Sequence, residues 1–333
     1  MESHVNDDEV SETVRSGEIV PSDGVEELKR RADDAAHAVR EGRFQRWLSL
    51  VAGVASAVSG LEVAYEHYRG GYSRRVMYTP VALSAALAVA GCAGFVSGRA
   101  ARTVLPIVSL ITAVDCTLGF YFHVRGVGRK PGGWRLPVTN IIMGPPIFAP
   151  LLFGVSAYLG LIASQLRRHE TTDRRIPGPG HAEHLLTALV PHEVIDWSQD
   201  VREGRFQRQL ALATMLAAGM SGFEAWYSHY KGNFRYASQW TPVVVAPLLV
   251  LAGAGATVRP RTAHTWLPVM SAVALIDGSA GFYFHVRGVL RRPGGTAKLF
   301  YNVIYGPPIF APLLFAASGF LGILASLLRR EAP

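Results

Sequence analysis

GFYFHVRGV occupies residues 119–127 and recurs unchanged at 281–289. An apolar, aromatic stretch that ends in His-x-Arg is unusual once. Its second copy shows where to look for more. Carrying the same offset outward aligns 41–168 with 203–330 without a gap, and 63 of the 128 aligned positions are identical. EGRFQR opens both copies, and a second shared block, GPPIFAPLLF, lies at 144–153 and 306–315. Identity at this level over such a length reads as one structural unit written twice.

The composition sets the class. Of 333 residues, 49% are hydrophobic and only 17% charged, against about 25% charge in a soluble domain. The segments 47–61, 80–98 and 136–166 contain no Asp, Glu, Lys or Arg. Spans of about 20 mainly apolar residues are long enough to cross the hydrocarbon core as helices. The expectation is an all-α integral membrane protein of eight transmembrane helices. They form two tandem four-helix repeats.

In each copy the first helix runs from about Trp47 to Tyr68, or from Gln209 to Tyr230, with Gly70 or Gly232 as a stop. The second opens at Thr79-Pro80 or Thr241-Pro242, read as a hydroxyl N-cap followed by a first-turn proline. The third starts near Thr103 or Thr265 and ends in GFYFHVRGV. The fourth is expected to start at Pro145 or its counterpart Pro307, with a discontinuous helix as the alternative. Four crossings per copy give both copies the same orientation, related by a pseudo-twofold axis along the membrane normal. Arg and Lys near the helix ends number 16 on the side of the termini and 13 on the other. This bias favours cytoplasmic termini, and the expected location is a bacterial inner (plasma) membrane.

Outside the repeats at 44–168 and 203–330, three segments are read separately. Residues 1–22 are polar and acidic, without an apolar signal region, and are expected to be disordered. Residues 23–43 place Val25, Leu28, Ala32, Ala35, Ala36 and Val39 at helical spacing, which predicts an amphipathic helix. The linker 169–202 carries a Pro/Gly break, a short helix and the pair His181 and His184, whose spacing alone is a weak metal signal. The charge of +8 is spread along helix ends, which suits the lipid bilayer as partner and excludes the basic face of a nucleic-acid binder. Cys92 and Cys116 have no cysteine counterparts and imply neither a disulfide framework nor a thiolate site.

Ionisable residues inside a bilayer are costly and usually face a bundle interior. Four pairs occur in both copies: Glu62 and Glu224, His67 and His229, Asp115 and Asp277, His123 and His285. Glu66 becomes Ser228 and is set aside. These eight are the ligand or proton-relay candidates. The four histidines are also the metal candidates, because each pair falls at matched depth on helices expected to lie diagonally across a bundle. A metal ion or a bis-imidazole haem is the cofactor class this suggests. Glu62 and His67 differ by about 140° around a regular helix, so a polar column fits better than one compact centre. Gly119 and Gly281 are expected to let a neighbouring helix or ligand come close. Arg125 and Arg287 are candidate anchors or ion-pair partners, and the aromatic residues around them fit an interfacial belt.

The first functional expectation is binding of a metal ion, haem or small ligand at one polar site per repeat, with redox chemistry a corollary. The alternatives are a proton- or cation-coupled transporter or channel, and a structural subunit of a homo-oligomer or larger membrane complex. No G-x-S-x-G, H-E-x-x-H or nucleotide-binding loop supports an enzyme reading.

Overall fold

The computed structural model describes residues 23–40, 43–169 and 192–328. Expectations for 1–22, and for His181 and His184, lie outside the described residues. The described residues are helical, with no strand among them. The described residues up to Ala38 belong to one unit and those from Val39 onward to another. The first contains most of α1 (Asp23–Arg40), where Glu27 accepts hydrogen bonds from Arg30 and Arg31 on an exposed face.

Two four-helix rings make up the second unit. The first holds α2 (Gln45–Arg69), α3 (Thr79–Val96), α5 (Val104–Gly128) and α7 (Ala149–His169). The short α4 (Gly98–Arg102) joins α3 to α5, and α6 (Pro137–Ile142) precedes α7. After α8 (His192–Arg202), the second ring holds α9 (Gln207–Lys231), α10 (Thr241–Val258), α12 (Trp266–Leu290) and α14 (Ala311–Leu327). Here α11 (Pro260–His264) and α13 (Leu299–Ile304) take the places of α4 and α6. In the first ring α2 and α5 each pack mainly against α3 and α7, so α2 and α5 face each other across a diagonal. The second ring repeats that order, with α9 and α12 on the diagonal. The rings meet through α7 on α9 and α14 on α2.

Six helical segments are long and apolar enough to cross a membrane: Gln45–Arg69, Arg75–Val96, Val104–Gly128, Ala149–Leu166, Ala237–Val258 and Trp266–Leu290. The other two ring helices fall short in different ways. α9 has 25 residues but carries Gln207, Arg208 and Gln209 in its first turn, and α14 is apolar with only 17 residues.

The packing is that of a chain whose outside is lipid. Large apolar side chains point outward, among them Val96 at 80% exposure and Ile276 at 69%. Small residues line the inside. Ser49, Ala52, Gly53, Ser56, Ser59 and Gly60 form the buried stripe of α2, and α3 answers with Ser84, Leu87, Ala90, Gly91 and Gly94. Lipid tails remove the hydrophobic reward for burying leucine, so helices associate by close packing of small residues. A Cβ on Gly91 would stand 2.6 Å from both Gly53 Cα and Ser49 O. Two buried hydroxyls at such contacts bond to backbone carbonyls: Ser49 donates to Gln45 O at 3.0 Å, and Ser56 reaches across to Ser84 O at 3.0 Å.

Two boundaries differ from the sequence reading. Thr79 is the first residue of α3 rather than its cap, because a 3-10 turn, Arg75–Tyr78, leads directly into the helix. Its hydroxyl donates backward to Val76 O at 2.9 Å. The fourth helix starts at Ala149, four residues after the expected Pro145. Residues 143–148 interrupt the helical path between α6 and α7, and 305–310 do the same before α14.

Gly91→Ala is expected to destabilise the detergent-solubilised protein by about 1–3 kcal/mol, the usual cost of overpacking. Gly98→Ala, whose Cβ would meet nothing nearer than 3.6 Å, should change little. Thermal unfolding of both variants checks the difference.

Candidate functional site

The interrupted helices explain why two blocks of sequence are shared. In an α-helix the carbonyl of residue i accepts from the N–H of residue i+4. Pro146 is followed four residues later by Pro150, which has no N–H, and Pro308 is followed likewise by Pro312. Those carbonyls have no helical donor. His123 supplies one, its Nδ1 lying 2.5 Å from Pro146 O, and His285 does the same for Pro308 O at 2.5 Å. The rest of GFYFHVRGV is shaped to receive the break. A Cβ on Gly119 would meet Pro150 at 3.1 Å, and one on Gly126 would meet Pro145 at 3.1 Å. Gly281 and Gly288 stand at 3.1 Å from Pro312 and Pro307 in the same way. Val127 is fully buried against Gly144. The close neighbour expected at Gly119 and Gly281 is therefore the start of the fourth helix.

The other two histidines serve the 3-10 turns. His67 Nδ1 lies 2.7 Å from Met77 O, and His229 Nδ1 lies 2.8 Å from Gln239 O. A carbonyl only accepts, so Nδ1 carries the proton in all four rings, and the neutral imidazole keeps Nε2 as its acceptor. His229 and His285 come together, with ring centroids 6.4 Å apart and ring planes at 66°. His67 and His123 are likewise close enough to interact electrostatically.

Asp115 and Asp277 belong to the same ends of the rings. Thr79 Oγ1 lies 2.7 Å from Asp115 Oδ1, and Thr241 bonds the side chain of Asp277. Asp115 acts electrostatically on His67, and Asp277 on His229. Each ring thus assembles two histidines, one aspartate and one threonine where α2, α3, α5 and the break before α7, or their second-ring counterparts, converge. Arg125 and Arg287 are exposed and make no ion pair among the described residues.

Glu62 and Glu224 lie elsewhere. Each points across the contact between rings to the N-terminus of the other ring's fourth helix. Glu224 Oε1 accepts from Phe148 N–H at 3.2 Å, and Glu62 accepts from Phe310 N–H. Tyr65 adds a hydrogen bond to Gly306 O at 3.3 Å. A carboxylate at a helix N-terminus also meets the positive end of the helix dipole. Glu62 Oε2 is buried and has no partner among the described residues. Glu66, set aside from sequence, lies within electrostatic reach of Glu62, Glu224, Arg69 and Lys231.

The expected polar column is therefore two sites of different kind: a His/His/Asp cluster inside each ring and a glutamate pair between rings. Among the described residues, no three His, Cys, Asp or Glu side chains are placed to hold one metal ion. Sequence reasoning missed Thr79, Thr241 and the carbonyls of Met77 and Pro146. The Pro146–Pro150 spacing was the signal for the last of these.

Long apolar helices, large apolar side chains turned outward and polar residues gathered inside define an all-helical membrane protein. Comparison of the chain with protein-family models, curated proteins and solved structures finds no match.

His123→Leu should destabilise the protein by about 1–3 kcal/mol, the cost of leaving a buried carbonyl unpaired. His285→Leu should cost about as much at Pro308 O. Unfolding midpoints of the two variants check this.

Proposed function

We propose that the chain crosses the membrane eight times as two tandem, same-orientation four-helix repeats, and that each repeat binds a metal ion at its paired histidines, His67 with His123 and His229 with His285. The repeat reading is supported by the gapless alignment and by the shared helix lengths of 25, 18 and 25 residues. α9 spans about 37 Å at 1.5 Å per residue, more than a bilayer core needs. α14 has 17 residues, or about 26 Å, and residues 305–310 before it lengthen the path across the core. An even number of crossings puts the termini and the 170–191 segment on one side, the cytoplasmic one by the charge bias.

The observation that carries the binding reading is the state of the imidazoles. All four Nδ1 atoms are tied to backbone carbonyls, which fixes the rings and leaves Nε2 as the donor atom to a metal. Metal-binding histidines use their second nitrogen in this way. Two imidazoles are fewer than the four protein ligands of a structural zinc site. The remaining positions fall to water or a transported ligand, so the ion is exchangeable.

Purified protein titrated with Zn²⁺ or Cu²⁺ should take up two ions per chain. His229→Ala/His285→Ala should take up one, and the variant lacking all four histidines none. Equal uptake by wild type and the fourfold variant would sink the reading. A Soret band that depends on the same histidines would assign haem in place of a free ion. The topology is checked by labelling single cysteines: positions in 1–22 and 170–191 should react from one side, and positions in 71–74 and 129–136 from the other.

One observation favours proton- or cation-coupled transport as a second reading: the buried oxygen of Glu62 without a partner among the described residues, within electrostatic reach of Glu66 and Arg69 at the contact between rings. Glu62→Gln preserves an acceptor for Phe310 N–H while removing the charge. It should leave folding intact and abolish flux in proteoliposomes. Unchanged flux would exclude Glu62 as the relay.

A further inference from the structure

Away from both polar sites, a groove of about 440 Å³ opens on the lipid-facing side between α10 and α12. Its floor follows one face of α10 from Leu248 through Leu251 and Gly255 to Arg259, and Trp266 and Met270 form the wall on α12. Leu248 to Arg259 is eleven residues, or about 16 Å of helix. That is close to half of a hydrocarbon core of about 30 Å, the depth of a single leaflet. The groove is apolar along this length and polar only where α10 ends, at Arg259 and at Thr262 of α11. Gly255 gives the groove its depth, since a Cβ there would meet Thr262 Cγ2 at 2.8 Å.

The polar end has no side-chain partner among the described residues. Arg259 is exposed, and no carboxylate pairs with its guanidinium among the described residues. No hydrogen bond engages the Thr262 hydroxyl among the described residues either. Trp266 is 63% exposed beside them, as indoles are at a membrane interface. The first ring lacks these features. Ser97, Ala100, Val104 and Val108 stand where the second ring has Arg259, Thr262, Trp266 and Met270. Close packing of the helices does not require the arginine, because the first ring packs in the same order without it.

We propose that this groove is a binding site for one anionic phospholipid of the leaflet on the side of the termini. An acyl chain lies along α10 between Leu248 and Gly255. The phosphate is held by the Arg259 guanidinium and the Thr262 hydroxyl, with Trp266 beside the glycerol region. The zwitterionic lipid of the same chain length fits the groove equally and lacks the net negative charge that Arg259 selects.

The experiment reconstitutes the full chain, with Trp266 as its single tryptophan, into phosphatidylcholine vesicles. These contain either brominated-acyl phosphatidylglycerol or brominated-acyl phosphatidylcholine. Half-quenching of Trp266 should need about fivefold less of the anionic lipid, the factor one basic residue near an anionic surface is worth. Arg259→Gln should abolish the preference, and Arg99→Gln in the first ring should leave it unchanged. Native mass spectrometry of the chain with all six tryptophans reads the same point without depending on that variant: one retained phosphatidylglycerol, absent from Arg259→Gln. Equal quenching by the two lipids, or a preference and a retained lipid that survive Arg259→Gln, overturns the proposal.

Discussion

A backbone carbonyl without a donor is the constraint around which each ring is arranged. Inside a bilayer no water replaces a missing hydrogen bond, and an orphaned group costs several kcal/mol. The extended prolines at 145–146 leave such a carbonyl on Pro146, and those at 307–308 leave it again on Pro308. A histidine must then stand at a fixed height on the facing helix, with glycines on either side so that the proline rings can approach. The same break leaves the N–H at the start of the fourth helix unpaired, and a glutamate from the other ring accepts it. One local interruption thus dictates a histidine within the ring, a glutamate outside it and the surface on which the rings meet.

This gives the histidines two roles that do not compete. Nδ1 is consumed by the fold, and Nε2 is not. A ring held by its Nδ1 bond loses little further freedom when Nε2 takes a ligand, which is what preorganisation means for a binding site. The arrangement also explains why the histidines sit at one end of each bundle. The 3-10 turn before the second helix and the break before the fourth are both at that end, and these are the places where the helical hydrogen-bond ladder fails. Function, where it uses Nε2, is built on a position that backbone chemistry had already reserved for a histidine.

Much of this could be read from the sequence. The charge-free segments 47–61 and 80–98 fall largely within α2 and α3, two of the six helical segments long and apolar enough to cross a membrane. Matched distances from the helix starts brought His229 and His285 to one level, and their rings lie 6.4 Å apart. The glutamates were harder. Helical periodicity says which face Glu62 occupies and not which helix lies opposite, so its partner in the other ring was out of reach. Thr79 was misplaced for a related reason: hydroxyl-before-proline is a cap signature only when no turn runs into the helix, and the 3-10 turn at 75–78 does so. The fourth helix starts late because Pro145 and Pro146 remain extended, docked against Gly126 and bonded to His123, where first-turn geometry alone would have let them begin a helix.

The two rings have diverged where they touch. Around Glu224 an aromatic row shelters the carboxylate: Phe148 meets Phe223 edge-on at 5.5 Å, and the row continues through Trp226 to Tyr230. Leu61 and Ala64 stand in the corresponding places beside Glu62, and Glu66 stands where the second ring has Ser228. Leu61 is 54% exposed, and beneath it Glu62 keeps a buried carboxyl oxygen without a partner among the described residues. A symmetric scaffold needs both glutamates as acceptors for the fourth-helix N–H groups. It does not need one of them to keep a buried spare oxygen and a second carboxylate four residues away. That difference is why the transport reading proposed above rests on Glu62 rather than on Glu224.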